Sequence, residues 1–350
     1  MGTIELKPPY LIFLGSEKSA AYAKTGAGLV EWRGELCKGQ LCLPDGTVDL
    51  GLPNMTVAEA VTAGIKSLVI GTASVGGGIP DEWLDTLEEA ALHGLDIVAG
   101  VHSRLNSVER LKNAAAKSGA QLVDVRVPPA TLPVGTGQKR TGKRILMMGT
   151  DCAVGKKYTA LAMEQDMRKA GMNADFRASG QTGIMVAGQG IPIDSVVSDF
   201  VSGAAELLSP NNADNHWDVI EGQGGIIHPG YSAVTMGLLI GSQPDAFVVC
   251  HEAGRTHIKG WEAFPIPSIE EVISRTIEIG TLTNPEITCV GVSVNTSSLQ
   301  PNEREKYLSD LSVRLGLPCV DPLKGGTDPI IQRLKMEMAL RTSTLGSAAV

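Results

Sequence analysis

The sequence has few aromatic residues and no long run of basic or of apolar side chains. Its 350 residues carry 30 Lys and Arg against 38 Asp and Glu, and 4% are aromatic. A net charge of −8 without a basic cluster argues against general nucleic-acid or anionic-membrane binding, since both require a positive patch. The lack of an apolar stretch of about 18 residues, and of a basic and then apolar amino terminus, predicts neither a membrane span nor a secretory signal.

Cysteine is also scarce, with six residues scattered along the chain. Cys37 and Cys42 form the one close pair, and no second cluster accompanies them to complete a zinc site. Several cysteines stand in apolar runs, which is typical of reduced thiols and predicts a cytoplasmic protein. His251 and His257 lack a carboxylate at a suitable spacing, so no metal site is predicted.

What the sequence does contain is a repeated alternation of short apolar strands and amphipathic helices. Forty-one glycines and nineteen prolines mark the turns between them, and a chain of this length has room for two domains of about 100 to 200 residues. The alternation predicts an α/β fold with parallel sheets. We expect an amino-terminal domain at residues 1–130, an exposed Pro- and Gly-rich linker at 131–143, and a second domain at 144–350, and we expect a homo-oligomer.

A phosphate-binding loop is predicted where a buried strand at residues 144–148 leads into a helix at 157–170. Backbone amides of such a turn, with the positive end of the helix, bind phosphate oxygens. Compared with the pattern G-x-x-x-x-G-K-[ST], the match starts at Thr150 rather than Gly, and Lys157 replaces the hydroxyl that normally holds Mg²⁺. The predicted cofactor-binding residues are Gly149, Thr150, Asp151, Cys152, Ala153, Val154, Gly155, Lys156, Lys157 and Tyr158.

Three further segments carry chemically useful side chains. Glu221 ends a strand and is followed by a glycine turn and then by His228, Tyr231 and Ser232. A helix is predicted at residues 194–208, after a polar turn that carries Ser179, Gln181 and Thr182, and Arg255 and Lys259 follow a strand that ends near Cys250. These groups are candidates for acid–base catalysis and for binding an anionic substrate. In the first domain, Gly76-Gly-Gly78 lacks the dinucleotide register, and His102 with Arg104 is interpreted as a pair of capping residues.

The second domain resembles dethiobiotin synthetase-type P-loop proteins, through residues 149–156 and 219–225. Nearly the whole chain resembles a P-loop-containing family, once of unknown function, that includes D-glutamate N-acetyltransferase. That resemblance rests on residues 179–183, 221–224, 228–232 and 250–255 in addition. It implies a Rossmann-like first domain, a P-loop NTPase-like second domain, and transfer of an acetyl group from acetyl-CoA to the amine of D-glutamate or a similar acidic D-amino acid, with no metal required.

For that reaction the candidate bases are Glu221 and His228. Candidate oxyanion donors are the amides of residues 222–225 and the hydroxyls of Tyr231 and Ser232. Arg255 is expected to bind a substrate carboxylate, with Lys259 or Arg177 as second choice. Direct attack of the amine is expected rather than an acetyl-enzyme on Cys152 or Cys250.

Two alternative functions are compatible with the same motifs. The first is an ATP- and Mg²⁺-dependent ligase or kinase acting on a small carboxylate, in which Asp151 or Thr159 takes over metal binding. The second is a non-catalytic nucleotide-binding regulator, which binds a cofactor without consuming it.

Overall fold

The computed structural model describes residues 4–72, 78–101 and 103–347. The predictions for Gly76, Gly77 and His102 fall outside these ranges. The elements up to residue 130 are β1 Ile4–Glu5, β2 Tyr10–Gly15, α1 Lys24–Arg33, β3 Cys37–Cys42, α2 Val57–Thr62, β4 Ser67–Ile70, α3 Leu84–Leu92, β5 Asp96–Ala99, α4 Glu109–Ser118 and β6 Leu122–Asp124.

The remaining elements continue the alternation of strand and helix. They are β7 Lys143–Gly149, α5 Lys156–Lys169, β8 Asn173–Arg177, α6 Gln181–Ala187, β9 Gln189–Gly190, α7 Val201–Leu208, β10 His216–Ile220, α8 Ser232–Ser242, β11 Ala246–Glu252, β12 His257–Ile258, β13 Trp261–Pro265, α9 Ile269–Gly280, β14 Thr288–Asn295, α10 Pro301–Leu315, β15 Cys319–Val320 and α11 Asp328–Ser347.

The chain divides into two compact units. The first contains the residues up to Pro129 together with Gly180–Ser195, and the second contains Ala130–Ser179 and the residues from Val196 onward. The segment of 16 residues that carries α6 and β9 therefore belongs to the first unit, although it lies in the sequence between elements of the second.

The first unit is built on a five-stranded parallel sheet in the order β3-β2-β4-β5-β6. Strands β2, β4 and β5 are buried along their whole length, and apart from Ser67 and Asp96 at the starts of β4 and β5 they show no alternation of polar and apolar residues. On one face of the sheet, Phe13 packs edge to face against Trp83, with 5.4 Å between ring centroids. Strands β1 and β9 pair antiparallel within this unit.

The second unit is built on a six-stranded parallel sheet in the order β15-β14-β11-β7-β10-β8. Strand β7 lies between β10 and β11, so the loops that follow these three strands emerge side by side at the carboxyl edge of the sheet. Ligands of open parallel sheets bind at such an edge, where the strand order reverses. The two parallel sheets confirm the predicted α/β fold class.

The predicted helix at 194–208 was wrong in its first half. Residues 193–195 and 198–200 form two separate turns of 3₁₀ helix, and α7 begins only at Val201. The segment after Ser179 was expected to be a polar turn, but it forms α6, with Ile184, Met185 and Val186 buried. Threonine and glycine lower intrinsic helix propensity there, so burial of these three side chains decides the conformation.

Candidate active site at the phosphate loop

The loop between β7 and α5 curls around the ammonium group of Lys156. Ala153 and Gly155 have positive φ angles of 55° and 104°, which bend the backbone before α5 begins at Lys156. The Lys156 Nζ donates to the carbonyl oxygens of Asp151 and Gly224, each at 2.7 Å. Burial lowers the pKa of Lys156, while nearby thiols and carboxylates oppose that shift. The predicted cation therefore lies inside the loop, bonded to carbonyls that a bound anion would replace.

Lys157, at the usual hydroxyl position of the loop, faces an aromatic ring. Its Nζ lies 4.3 Å from the centroid of the Tyr158 ring, within the range of a cation–π contact. The nearby Thr159 hydroxyl donates to the Gly155 carbonyl oxygen and lies 2.7 Å from the Ser293 hydroxyl. Thr159, the alternative metal ligand of the ligase hypothesis, is thus already hydrogen-bonded in the core.

Asp151 ties the phosphate loop to the loop after β11. One carboxylate oxygen accepts from the Arg255 guanidinium at 2.7 Å and from the Lys259 backbone amide at 2.8 Å. Arg255 also donates to the carbonyl oxygen of Cys152 at 2.8 Å, and its other arm pairs with Glu252. The carboxylate of Asp151 is fully buried. Arg255, expected to bind substrate, therefore pairs with two carboxylates of its own chain.

Glu221, which follows β10 directly, is joined to Ser179, which lies two residues after β8. The Ser179 amide donates to the Glu221 carboxylate at 3.0 Å, and the Ser179 hydroxyl donates to the Glu221 carbonyl oxygen at 2.6 Å. Gln223 donates to the same hydroxyl at 2.9 Å. These contacts place the predicted base and one predicted substrate-binding residue together, as the parallel pairing of β8 and β10 requires.

The glycine turn after Glu221 packs directly on the strand that leads into the phosphate loop. A Cβ atom at Gly222 would lie 1.6 Å from the carbonyl oxygen of Met147, and Gly224 has a φ of +62°. Only glycine fits both positions. This close approach is what lets the Gly224 carbonyl reach Lys156.

His228 is held in one tautomer in the turn that precedes α8. Its Nδ1 accepts from the backbone amides of Gly230 at 3.0 Å and Tyr231 at 3.2 Å, so in the neutral ring the proton is on Nε2. The ring packs against Tyr231 and, edge to face, against Trp261 at 4.9 Å between centroids. Ser232 is the first residue of α8 and is half-buried, while Tyr231 is exposed. Sequence reasoning missed Trp261, which lies far along the chain in a short hairpin.

The structure also brings Asp151, Cys152 and His228 together, with one donor atom of each within 4.8 Å of the others. The residue types suit a metal ion, but the Nε2 of His228 carries a proton rather than a free lone pair while Nδ1 accepts two amides. His251 lies 3.1 Å from the Thr150 hydroxyl, and the exposed His257 contacts its neighbour Thr256. These two histidines have separate partners.

Two predicted substrate-binding residues belong to the other compact unit. Gln181 and Thr182 begin α6, and the Gln181 side chain accepts from Arg126 at 2.8 Å. Arg177, the second choice for a substrate carboxylate, is paired with Asp218 at 2.7 Å.

The thiols near the loop are poor nucleophiles at neutral pH. Burial raises the pKa of Cys250 to about 11 and also raises that of Cys152. A thiolate is the reactive form of cysteine, so both groups are mostly in the unreactive form.

Comparison with known proteins identifies the family. Residues 43–128 match the Rossmann-like domain DUF1611_N, and residues 133–331 match the P-loop domain DUF1611_C, both described as domains of unknown function. The chain belongs to the DUF1611 family. This confirms the resemblance to a P-loop family once of unknown function.

Two curated relatives of this DUF1611 protein are named D-glutamate N-acetyltransferase. The relative from Pseudoalteromonas sp. is 44% identical over 331 residues, which cover 95% of this chain and 100% of the relative. The relative from Tritonibacter scottomollicae is 44% identical over 329 residues, 94% of this chain and 99% of the relative. A crystal structure of a DUF1611 family protein from Anabaena variabilis is 31% identical, with a TM-score of 0.81 over 94% of this chain and 100% of that one.

Among the described helices of this DUF1611 protein, none combines the length and apolar character that crossing a membrane requires.

Proposed function

We propose that this DUF1611 protein transfers an acetyl group from acetyl-CoA to the amine of D-glutamate, or of a similar acidic D-amino acid, by direct attack of the amine on the thioester. The names of the two curated relatives, at 44% identity over nearly the whole chain, support this activity. The observation that carries the proposal is a phosphate loop that keeps its buried lysine but has Lys157 where metal-dependent P-loops have a hydroxyl.

The loop suits a ligand whose phosphates are bound and not transferred. Coenzyme A has a pyrophosphate and a 3′-phosphate, and acetyl transfer leaves both intact. Lys156 supplies a charge inside the loop, and Lys157 supplies a second charge at the sequence position where metal-dependent loops carry the hydroxyl that binds Mg²⁺. Two lysines neutralise phosphate without a metal.

Glu221 is the proposed general base. The substrate amine is mainly an ammonium ion at neutral pH, and a carboxylate both attracts it and accepts its proton. The amide of Ser179 holds one oxygen of Glu221 in place. His228, the other candidate, has its unprotonated nitrogen occupied by two backbone amides, so Glu221 is better suited to accept the proton.

The carboxylates of the substrate require cations near the phosphate loop. Lys259 has an exposed side chain, and only its backbone amide is committed to Asp151. We therefore assign the first substrate carboxylate to the Lys259 ammonium, and to Arg255 only if the substrate displaces Glu252 from the guanidinium. The raised pKa values of Cys152 and Cys250 support direct attack over an acetyl-enzyme.

A thiol-release assay tests this function. Purified protein is incubated with acetyl-CoA and a panel of D- and L-amino acids, and free coenzyme A is followed with time. We expect release with D-glutamate or another acidic D-amino acid, without added metal and unchanged by a chelator. Intact mass after incubation with acetyl-CoA alone should show no acetylated protein, whereas an acetyl-enzyme adds one acetyl group.

The same preparation separates the alternatives. Mg²⁺-dependent ATP hydrolysis with a small carboxylate would support a ligase or kinase, and tight coenzyme A binding without thiol release from any amino acid would support a regulator. The cytoplasmic location and the homo-oligomer remain predictions. Cell fractionation tests the location, and light scattering tests the oligomeric state.

A further inference from the structure

The imidazole of His228 has one N–H group, on Nε2, that makes no hydrogen bond to the described residues. Its side chain has no exposed surface, and within the described part of the chain its Nε2 has no hydrogen-bond acceptor. A carboxylate oxygen of Asp151 lies 3.4 Å from Nε2 but outside hydrogen-bonding geometry. A buried donor without a partner is destabilising, so its retention points to an acceptor that a ligand supplies.

The backbone fixes which nitrogen carries the proton. The amides of Gly230 and Tyr231 both point at Nδ1, and a proton on that nitrogen would face two other N–H groups. The neutral ring is therefore locked with its hydrogen on Nε2, and a doubly protonated ring is disfavoured as well. Other enzymes use a neutral histidine, held by a helix N-terminus, to polarise a carbonyl group.

The charged and titratable groups around the ring come from the phosphate loop, from the start of α5 and from the turn that carries His228 itself. Asp151 and Lys156 lie on the phosphate loop and at its end, and their charges act on His228 in opposite directions. A donor atom of Cys152 also lies within 4.8 Å of one from His228, and the Trp261 and Tyr231 rings pack against the imidazole. Arg255 offsets the charge of Asp151 at 2.7 Å. A ligand oxygen that binds near Nε2 would therefore lie close to the Asp151 carboxylate, whose negative charge is already paired with Arg255.

We propose that His228 is a catalytic hydrogen-bond donor, whose Nε2–H binds the carbonyl oxygen of the acetyl thioester and stabilises the negative charge that forms there. This inference rests on the proposed acetyl transfer. It assigns His228 a role as electrophile and leaves the role of base to Glu221.

The proposed step balances in atoms and protons. The ammonium loses one proton to Glu221, and the free amine attacks the carbonyl carbon, so that a C–N bond forms and the C=O electron pair moves to the oxygen held by Nε2–H. The C–S bond then breaks and sulfur leaves with its electron pair. Of the two protons that the amine nitrogen loses, one protonates the thiolate and the other goes to solvent, while His228 keeps its own.

The tautomer is tested without any activity measurement. Protein labelled with ¹⁵N in histidine is examined by long-range ¹H–¹⁵N NMR between pH 5.5 and 8, with assignment by comparison with His228→Asn. We expect His228 to show a protonated Nε2 and an unprotonated Nδ1 throughout. A proton on Nδ1, or a charged ring at pH 7, would overturn the proposal.

Two substitutions of His228 distinguish the structural role of Nδ1, which accepts from two backbone amides, from the proposed catalytic role of the Nε2 donor. His228→Asn places an amide oxygen near Nδ1, which keeps the contacts to Gly230 and Tyr231 but removes the Nε2 donor. His228→Gln places an amide N–H near Nε2. Loss of one oxyanion donor typically lowers kcat by about 10²- to 10³-fold. We expect that decrease in His228→Asn, with KM and coenzyme A affinity unchanged. In His228→Gln we expect a smaller decrease in kcat.

The pattern of kinetic changes decides among roles. A weaker affinity for coenzyme A with unchanged kcat would make His228 a phosphate ligand and overturn the proposal. Loss of the acidic limb of the pH–rate profile in His228→Asn would make it the base and overturn it too. An inactive wild-type protein that shows the expected tautomer would refute the acetyl-transfer function while leaving the fixed N–H donor established. Thermal unfolding of each variant excludes misfolding as the cause.

Discussion

The carboxylate of Asp151 and the guanidinium of Arg255 lie 2.7 Å apart, and together they fasten the phosphate loop to the loop after β11. The Asp151 side chain has no exposed surface and that of Arg255 is 11% exposed. Both loops emerge from adjacent strands of one parallel sheet, so this pair fixes the distance between the residues expected to bind phosphate and those proposed to bind the substrate.

Replacing Arg255 should therefore destabilise the protein. Arg255→Ala removes the ion-pair partner of the buried Asp151 carboxylate, and breaking a buried pair typically costs about 3 to 5 kcal/mol of the free energy of unfolding. Arg275→Ala removes an exposed ion pair with Glu278 and should cost about 0 to 1 kcal/mol. Urea denaturation measures both, and equal small losses would show that Asp151 does not depend on Arg255.

Lys156 should govern cofactor binding. Lys156→Ala removes the charge from inside the phosphate loop, and we expect coenzyme A affinity to fall at least about tenfold, since one charge-assisted hydrogen bond contributes about 1.5 to 3 kcal/mol. Lys169→Ala, at the other end of α5 and largely exposed, is the matched control and should bind normally. Isothermal titration with coenzyme A compares the two variants. Equal affinities would show that the loop does not bind the phosphates of coenzyme A.

Glu221 should govern proton removal. Glu221→Gln keeps an oxygen that accepts from the Ser179 amide but removes basicity, so kcat should fall by about 10²- to 10⁴-fold with little change in coenzyme A affinity. The acidic limb of the pH–rate profile should disappear with it. Full activity in this variant would assign the base elsewhere.

Stability should fall at mildly acidic pH because of buried histidines. Burial lowers the pKa of both His228 and His251 below 6.5. Between the lowered folded values and 6.5 the unfolded chain binds more protons than the folded chain, so the free energy of unfolding decreases as pH falls through that window. The decrease in the free energy of unfolding between pH 7.5 and pH 5.5 should be smaller in His228→Asn than in the unsubstituted protein. It should be unchanged in the control His93→Asn, whose side chain is exposed. Denaturation at pH 7.5 and 5.5 measures it.

Much of the fold was predictable because its signals are local. The buried strand before Gly149, the positive-φ glycine at 155 and the helix from Lys156 follow one another within a few residues, so pattern alone located the phosphate loop. The parallel order of the strands followed from the length of the connecting helices. Glu221 and Ser179 were both singled out, and the pairing of β8 with β10 explains why they meet.

The features that only the tertiary structure decided depend on contacts between residues that are far apart in the sequence. The sequence placed Lys156 at the junction of the phosphate loop and a helix, but the Gly224 carbonyl that holds it comes from a turn 68 residues away. The single tautomer of His228, the packing of Trp261 on its ring and the pairing of Arg255 with Asp151 likewise join separate segments. No periodicity encodes such contacts, because side-chain partners are chosen by burial and charge once the strands have brought their loops to one edge.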